Sequence, residues 1–183
     1  LKLYLNRDII SDETNMLNLN FKLENSSDKT IPLKDYIVRY YYVDESPEAD
    51  EIINLYYCGN NWISCGLVKA TCHKIPAPCK NQANAYLEFD FSNTPIYLNS
   101  NDCLQIKSGV HTSAWHTMNT SNDFSLTNNN YNGEEGYILW AKMPVYEKES
   151  KKLVWGTEPK DTVENATPEL TISCIANTID DSA

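Results

Sequence analysis

The chain has 183 residues, within the usual range for one domain, and carries 25 Asp and Glu against 15 Lys and Arg, a formal net charge of −10. This acidic balance argues against nucleic acid or direct contact with an anionic membrane, because both need a basic patch, and it is compatible with a cation or an uncharged ligand. The sequence has no apolar run of membrane-spanning length and no visible signal peptide at Leu1, so we expect an excised module or a mature form.

Short strands are predicted along most of the chain. Segments rich in β-branched and aromatic residues, bounded by Asn, Asp, Ser, Gly or Pro, predict strands at LKLYL, LNLNFKLEN, DYIVRYYYVD, EIINLYYC, AYLEFDFS and CLQIKSG. MPVYEK and KLVWG predict a late hairpin. Because no convincing amphipathic helix accompanies these strands, the pattern indicates an all-β sandwich or barrel.

A Cys-rich insert at about residues 58–82 interrupts this pattern with four Cys, two Pro and little alternation, which predicts an irregular excursion. The chain has six Cys and no C-x-x-C motif, which favours disulfides in an oxidising compartment over zinc ligation. The even spacing of the first four suggests a hairpin. The pairs expected on that basis are Cys58–Cys79, Cys65–Cys72 and Cys103–Cys174, with other connectivities left open.

The last part of the chain is predicted to be an extension of the same unit. After Pro159 a polar linker, KDTVENATPE, leads to one more strand-like segment, LTISCIA. We therefore expect a main module at residues 1–160 and a C-terminal extension at residues 161–183 that packs on it as an extra strand, tied down by Cys174.

Oxygen-bearing side chains are concentrated in NTSND, where Asn119, Asn122 and Asp123 fall within five residues. Calcium binds carboxylate, amide and backbone oxygens, so this loop is a candidate calcium site. The alternative is that these side chains cap turns by bonding to their own backbone.

Trp115 lies among small polar residues in TSAWHT, a context without a strand period. Tryptophan is most often buried, but this context favours an exposed ring. A flat aromatic ring can stack on the apolar face of a sugar while polar neighbours bind its hydroxyl groups.

Five segments in order resemble the family 3 carbohydrate-binding modules of bacterial cellulases, cellulosome scaffolds and related anti-sigma-factor sensor ectodomains. They are SDETNMLNLNFKLEN, YIVRYYYVD, AYLEFDF, WHTMNTSNDFS and LVWGTEP. The resemblance runs from Leu1 to about Pro159 and leaves out the Cys-rich insert and the tail. It implies a nine-stranded jelly-roll β-sandwich with a structural calcium, no catalytic residues, and a flat strip of side chains that faces cellulose.

The resemblance also implies roles for particular residues. The calcium ligands would be Asp44, Asn122 and Asp123, with Asn119 where the family usually has Thr. Trp115 matches the tryptophan of the cellulose-binding strip. Further candidates for sugar contact are Trp62, His111, Asn60, Ser11 and Asn15. The Asp–Arg pair that the family places in this strip falls at about Gly59 and Gly109, so here both charges are missing.

These observations predict a non-catalytic module that binds cellulose or a related plant cell-wall glucan outside the cell. It would belong to a larger multimodular protein and would serve to target an enzyme or scaffold, or to sense the polysaccharide. The alternative is a structural or protein-interaction module that has lost cellulose binding. The adjacent carboxylates Glu134 and Glu135 lie in an Asn- and Gly-rich segment, which predicts a solvated turn and not a hydrolytic pair.

Overall fold

The computed structural model describes residues 1–59, 65–79, 82–127 and 131–160, and for residues 77–79 the backbone alone. Its strands are β1 (Lys2–Asn6), β2 (Glu13–Thr14), β3 (Leu17–Glu24), β4 (Ile31–Pro32), β5 (Tyr36–Tyr42), β6 (Glu51–Gly59), β7 (Lys69–Cys79), β8 (Ala83–Asp90), β9 (Tyr97–Leu98), β10 (Cys103–Thr112), β11 (Met118–Asn119), β12 (Tyr137–Leu139), β13 (Val145–Glu147) and β14 (Leu153–Trp155). Single 3-10 turns lie at Leu33–Asp35 and Cys65–Leu67.

Two five-stranded antiparallel sheets form a sandwich. The first sheet has the order β12-β1-β3-β10-β6, and the second has the order β14-β13-β5-β8-β7. Two small sheets, β11-β2 and β4-β9, join loops at the ends of the sandwich. The predicted all-β sandwich class is confirmed, and within the described residues the two large sheets hold ten strands where nine were expected.

The core forms between the two sheets because their strands alternate buried and partly exposed residues. Strands β3 and β8 both follow this alternation along their whole length. Phe21 of β3 meets Phe89 of β8 edge to face, with ring centroids 5.0 Å apart, and both rings are fully buried. Burial of each such side chain contributes about 1.5–3 kcal/mol, so these facing strands fix the sandwich and leave the outer faces free for other roles.

The Cys-rich insert differs from the prediction. Strand β7 covers much of it and pairs with β8 in regular register from Lys69↔Asp90 to Lys74↔Ala85. The register shifts only beyond Lys74, where Pro76 and Pro78 cannot donate to a ladder. The predicted irregular excursion is therefore wrong over residues 69–74, because a paired edge strand can lack clear alternation, whereas the register is irregular between Lys74 and Cys79.

The predicted Cys hairpin is also wrong, because β6 and β7 lie at the edges of different sheets. No S–S bond joins Cys58, Cys65, Cys72 or Cys103 in the structure, and the expected disulfide pairings stay predictions. The thiol of Cys58 is hydrogen-bonded to that of Cys65, and Cys72 contacts Tyr42 and Glu51. The side chain of Cys79 and all of Cys174 lie outside the described residues.

The late hairpin is confirmed, since β13 pairs antiparallel with β14. The predicted C-terminal strand at residues 161–183 lies outside the described residues. In the part of the chain that the structure describes, no helix is long and apolar enough to cross a membrane.

Candidate functional site

A tight turn after β10 positions the Trp115 side chain. The backbone N–H of Trp115 donates to the carbonyl oxygen of Thr112 at 2.9 Å, and the N–H of His116 donates to Thr112 Oγ1 at 2.8 Å. Trp115 has a φ of 56°, in the left-handed region that Gly or Asn usually occupies. An ordinary side chain in this region costs about 1–2 kcal/mol, and such strain is concentrated at functional sites.

The indole of Trp115 stacks on the imidazole of His111, with centroids 3.9 Å apart and planes inclined by 11°. His111 Nδ1 donates to the carbonyl oxygen of Thr112 at 2.9 Å, because a carbonyl can only accept, and Nε2 then accepts from the Asn54 amide at 3.4 Å. Trp115 is 53% exposed, as its sequence context predicted, and His111 is only 6% exposed. Because its ring is covered by the indole, we expect His111 to support Trp115, and its predicted contact with sugar stays untested.

Two predicted polar contacts, Ser11 and Asn15, are exposed on either side of β2. This strand pairs with β11, which follows the Trp115 turn directly. The hydroxyl of Thr120 also donates to the carbonyl oxygen of Ser11 at 2.7 Å, so the two segments are held together. The remaining candidates, Asn60 and Trp62, lie outside the described residues.

Two exposed tyrosines on the first sheet were not predicted as site residues. Tyr56 and Tyr57 of β6 are 57% and 48% exposed, on the side of the sheet that faces away from the core. Both lie beside β10, the strand that leads to Trp115. In the sequence they were interpreted only as part of a strand, and the one available signal was the pair of adjacent aromatic residues before Gly59.

The oxygen-rich loop contains a buried carboxylate, Asp123. Its oxygens accept a hydrogen bond from the Tyr40 hydroxyl at 2.5 Å and from the Val43 N–H at 3.0 Å. Burial nevertheless raises the pKa of Asp123 to about 7. The two hydrogen bonds therefore offset only part of the cost of burying the charged carboxylate. A bound cation would favour the ionised form further.

Asp44 lies beside this loop, just after β5. Its Oδ1 accepts from the Ser46 N–H at 3.0 Å, and its Oδ2 forms an ion pair with Lys74. Asn84 fixes the backbone of Asp44 by accepting from its N–H at 2.6 Å and donating to its carbonyl oxygen at 3.0 Å. Sequence analysis missed Lys74 and Asn84, because they come from β7 and β8 and carry no local motif.

The structure brings three of the predicted calcium ligands together. Asp44, Asn119 and Asp123 line one cavity of about 30 Å³, which is large enough for a single water molecule or ion. The fourth, Asn122, does not line this cavity, but its Oδ1 is buried without a hydrogen-bond partner while its Nδ2 donates to Glu45 Oε1 at 2.9 Å. Carboxylate and amide oxygens of this kind are suitable donors for a hard cation.

Asn119 behaves differently. Its Oδ1 accepts from both the N–H and the hydroxyl of Ser121, at 3.0 and 2.6 Å, which is the turn-capping arrangement considered as the alternative to calcium ligation. Among the described residues, no group of three or more His, Cys, Asp or Glu side chains is placed to hold a metal ion. A calcium ion here would therefore depend on Asn122 and on backbone oxygens as well as on Asp44 and Asp123.

Comparisons with known proteins agree with this architecture. The anti-sigma-I factor RsgI2 of Acetivibrio thermocellus is 29% identical over 164 residues, which cover 82% of this chain and 23% of that protein. Endoglucanase 5 of Pectobacterium carotovorum is 30% identical over 151 residues, covering 81% of this chain and 27% of that protein. The chain thus spans about a quarter of the length of these curated relatives.

Among solved structures, a biomass sensing module from the Rsgi2 protein of Clostridium thermocellum is similar, with a TM-score of 0.72 and 26% identity. The similarity covers 86% of this chain and 96% of that one. The family model described as cellulose binding domain matches residues 4–156, which is most of the chain. The chain therefore belongs to the cellulose binding domain family of non-catalytic carbohydrate-binding modules.

Proposed function

We propose that this module attaches a larger protein to plant cell-wall polysaccharide, with a cellulose-like glucan as its ligand. The observation that carries this proposal is the exposed indole of Trp115, held flat on His111 at 3.9 Å by a turn whose backbone is unfavourable for tryptophan. A rigid exposed ring can stack on the apolar face of a sugar without losing side-chain freedom on binding.

The parent protein would act outside the cell. A role in sensing polysaccharide is supported by the identity with the anti-sigma-I factor RsgI2 and by the fold similarity to a biomass sensing module. A role in targeting an enzyme is supported by the comparable identity with endoglucanase 5. The domains joined to this module in the parent protein would distinguish the two roles.

Calcium is proposed as a structural ion in the oxygen-rich loop, held by Asp44, Asn122 and Asp123 with backbone oxygens. The support is the unpartnered Asn122 Oδ1 and the buried Asp123 carboxylate, whose ordinary partners leave its pKa raised. The ion would brace the segment that follows Trp115. Its positive charge would also stabilise the ionised carboxylates, which burial disfavours.

The binding proposal is tested by retention on microcrystalline cellulose, with chitin and xylan as competing solids. The wild-type chain is expected to be retained on cellulose, and Trp115→Ala is expected to lose most of that retention while the chain stays folded. Tyr97→Ala is the matched control, because Tyr97 is 58% exposed but lies in the small β4-β9 sheet. Wild-type chain that is not retained on any of the three solids would support the alternative, an interaction module that has lost sugar binding.

A further inference from the structure

Two glycines on the first sheet lie directly beneath tyrosine rings. A Cβ atom added to Gly59 would lie 2.1 Å from Tyr57 Cζ, and one added to Gly109 would lie 2.4 Å from Tyr56 Oη. Real Cβ atoms do not approach other atoms this closely. Each ring therefore occupies the space that the side chain of any other residue would fill.

A β-bulge explains why two adjacent tyrosines share one face. Tyr57 pairs with Lys107 and Leu55 pairs with Ser108, so Tyr56 is the extra residue between them. In a regular strand, neighbouring side chains point to opposite faces. The bulge cancels this alternation, and both tyrosine rings lie on the outer face of the sheet instead of one entering the core.

These rings continue the surface that Trp115 begins. Gly109 and His111 are two residues apart on β10, so the Tyr56 ring and the Trp115 stack lie about 7 Å apart along the strand. Tyr57 lies further along the same edge, with the Lys107 ammonium 5.6 Å from its ring centroid. The result is a row of aromatic rings along the β6 and β10 edge.

The resemblance places the Asp–Arg pair of the family at about Gly59 and Gly109. Here both residues are glycines, and the rings of Tyr57 and Tyr56 cover them. Aromatic rings therefore lie where the resemblance would place an ion pair.

We propose that Tyr56 and Tyr57 are sugar-stacking residues that extend the Trp115 site into an aromatic platform for the flat faces of a β-glucan chain. Gly59 and Gly109 let the two rings lie against the sheet. This inference rests on the proposed function and adds to it the residues that replace the charged pair. Because the platform presents aromatic faces, it suits the C–H faces of the sugars more than their hydroxyl edges.

The first test compares Tyr56→Ala and Tyr57→Ala with Tyr56→Phe and Tyr57→Phe in binding to microcrystalline cellulose and to cellohexaose. Each alanine variant is expected to weaken binding by about fivefold, and each phenylalanine variant is expected to bind as the wild type, since the ring remains. All four variants should melt as the wild type because both side chains are exposed. The Tyr97→Ala variant again serves as the control for a remote exposed ring.

The second test adds a methyl group beneath one ring. Gly109→Ala is expected to lift the Tyr56 ring from the sheet and to weaken binding without lowering the melting temperature. In the Tyr56→Ala background the same substitution should have no further effect, because there is no ring left to displace. If the binding losses of Gly109→Ala and Tyr56→Ala simply add in the double variant, the role assigned to Gly109 is wrong.

The outcomes distinguish failure of the tyrosine platform from failure of the proposed cellulose binding. If the wild type is retained and Trp115→Ala abolishes retention while the tyrosine variants bind normally, the platform is wrong and the proposed function stands. If the wild type binds neither cellulose nor cellohexaose, the proposed function itself fails, and the platform fails with it.

Discussion

The indole of Trp115 and the imidazole of His111 are stacked within 11° of parallel, and only the indole is exposed. The imidazole is held at both nitrogens, since Nδ1 donates to the carbonyl oxygen of Thr112 and Nε2 accepts from the Asn54 amide. The orientation of the exposed ring therefore depends on a buried residue that the ligand would not touch.

His111→Ala should consequently weaken cellulose binding, because it removes the support that orients the indole. Aromatic pairs contribute about 0.5–1.5 kcal/mol beyond area burial, so losing this preorganisation should lower the affinity by at most about two- to twelvefold. His111→Phe restores a flat support and should recover most of the affinity, as measured by binding isotherms on cellulose. Equal losses in the two variants would show that the hydrogen bonds matter and the stack does not.

The backbone of Trp115 gives a second prediction. Because its φ of 56° suits glycine, Trp115→Gly should be more stable than Trp115→Ala by about 1 kcal/mol. Both variants lack the ring, so both should lose cellulose retention to the same extent. Chemical denaturation of the two variants measures the difference, and a less stable glycine variant would contradict a strained turn.

Much of the fold could be predicted from the sequence, because alternation in β3 and β8 directly reports which face is buried. The exposure of Trp115 was also predictable, since a segment of small polar residues without strand alternation favours an exposed ring. The bulge that turns Tyr56 outward was not predictable, because it arises from the register between β6 and β10 and not from either strand alone. Lys74 was missed because its contact with Asp44 is made only when β7 joins the second sheet.

Removal of calcium is expected to destabilise the module. An ion that binds only the folded state stabilises it by mass action, about 2.7 kcal/mol at a concentration one hundred times its dissociation constant. A chelator should therefore lower the melting temperature, and Asp123→Ala should abolish the difference between calcium and chelator. Asp28→Ala, which removes an exposed carboxylate elsewhere, should leave the difference intact. A wild-type chain that melts identically in both conditions would favour turn capping as the sole role of the loop.

Lys74 provides a separate test of that site. Its ammonium is paired with Asp44, so it competes with any cation for the same carboxylate. Lys74→Met removes this competitor and leaves the buried Asp44 without its cationic partner, which should lower the melting temperature in chelator and enlarge the gain on adding calcium. The comparison uses one calcium titration for each variant. An unchanged calcium response would mean that Asp44 is not a ligand.

The last prediction concerns Cys58, because its buried thiol is hydrogen-bonded to that of Cys65. Burial, together with the hydrogen bond to Cys65, raises the pKa of Cys58, so its thiol should react slowly with alkylating reagents while the exposed Cys103 reacts first. Under oxidation we expect a Cys58–Cys65 bridge, since these two thiols are already hydrogen-bonded to each other.

Such a bridge would close a short loop, and the chain-entropy account gives it about 2.5 kcal/mol of stabilisation. The loop contains Asn60 and Trp62, two of the residues expected to contact sugar, so its closure would also limit the freedom of that segment. Peptide mapping under non-reducing conditions identifies the linkage, and Cys65→Ser should then leave Cys58 free and lower the melting temperature of the oxidised protein. Cys103→Ser is the matched control and should leave the bridge in place. A peptide map that joins Cys58 to Cys79 would contradict the expected Cys58–Cys65 bridge.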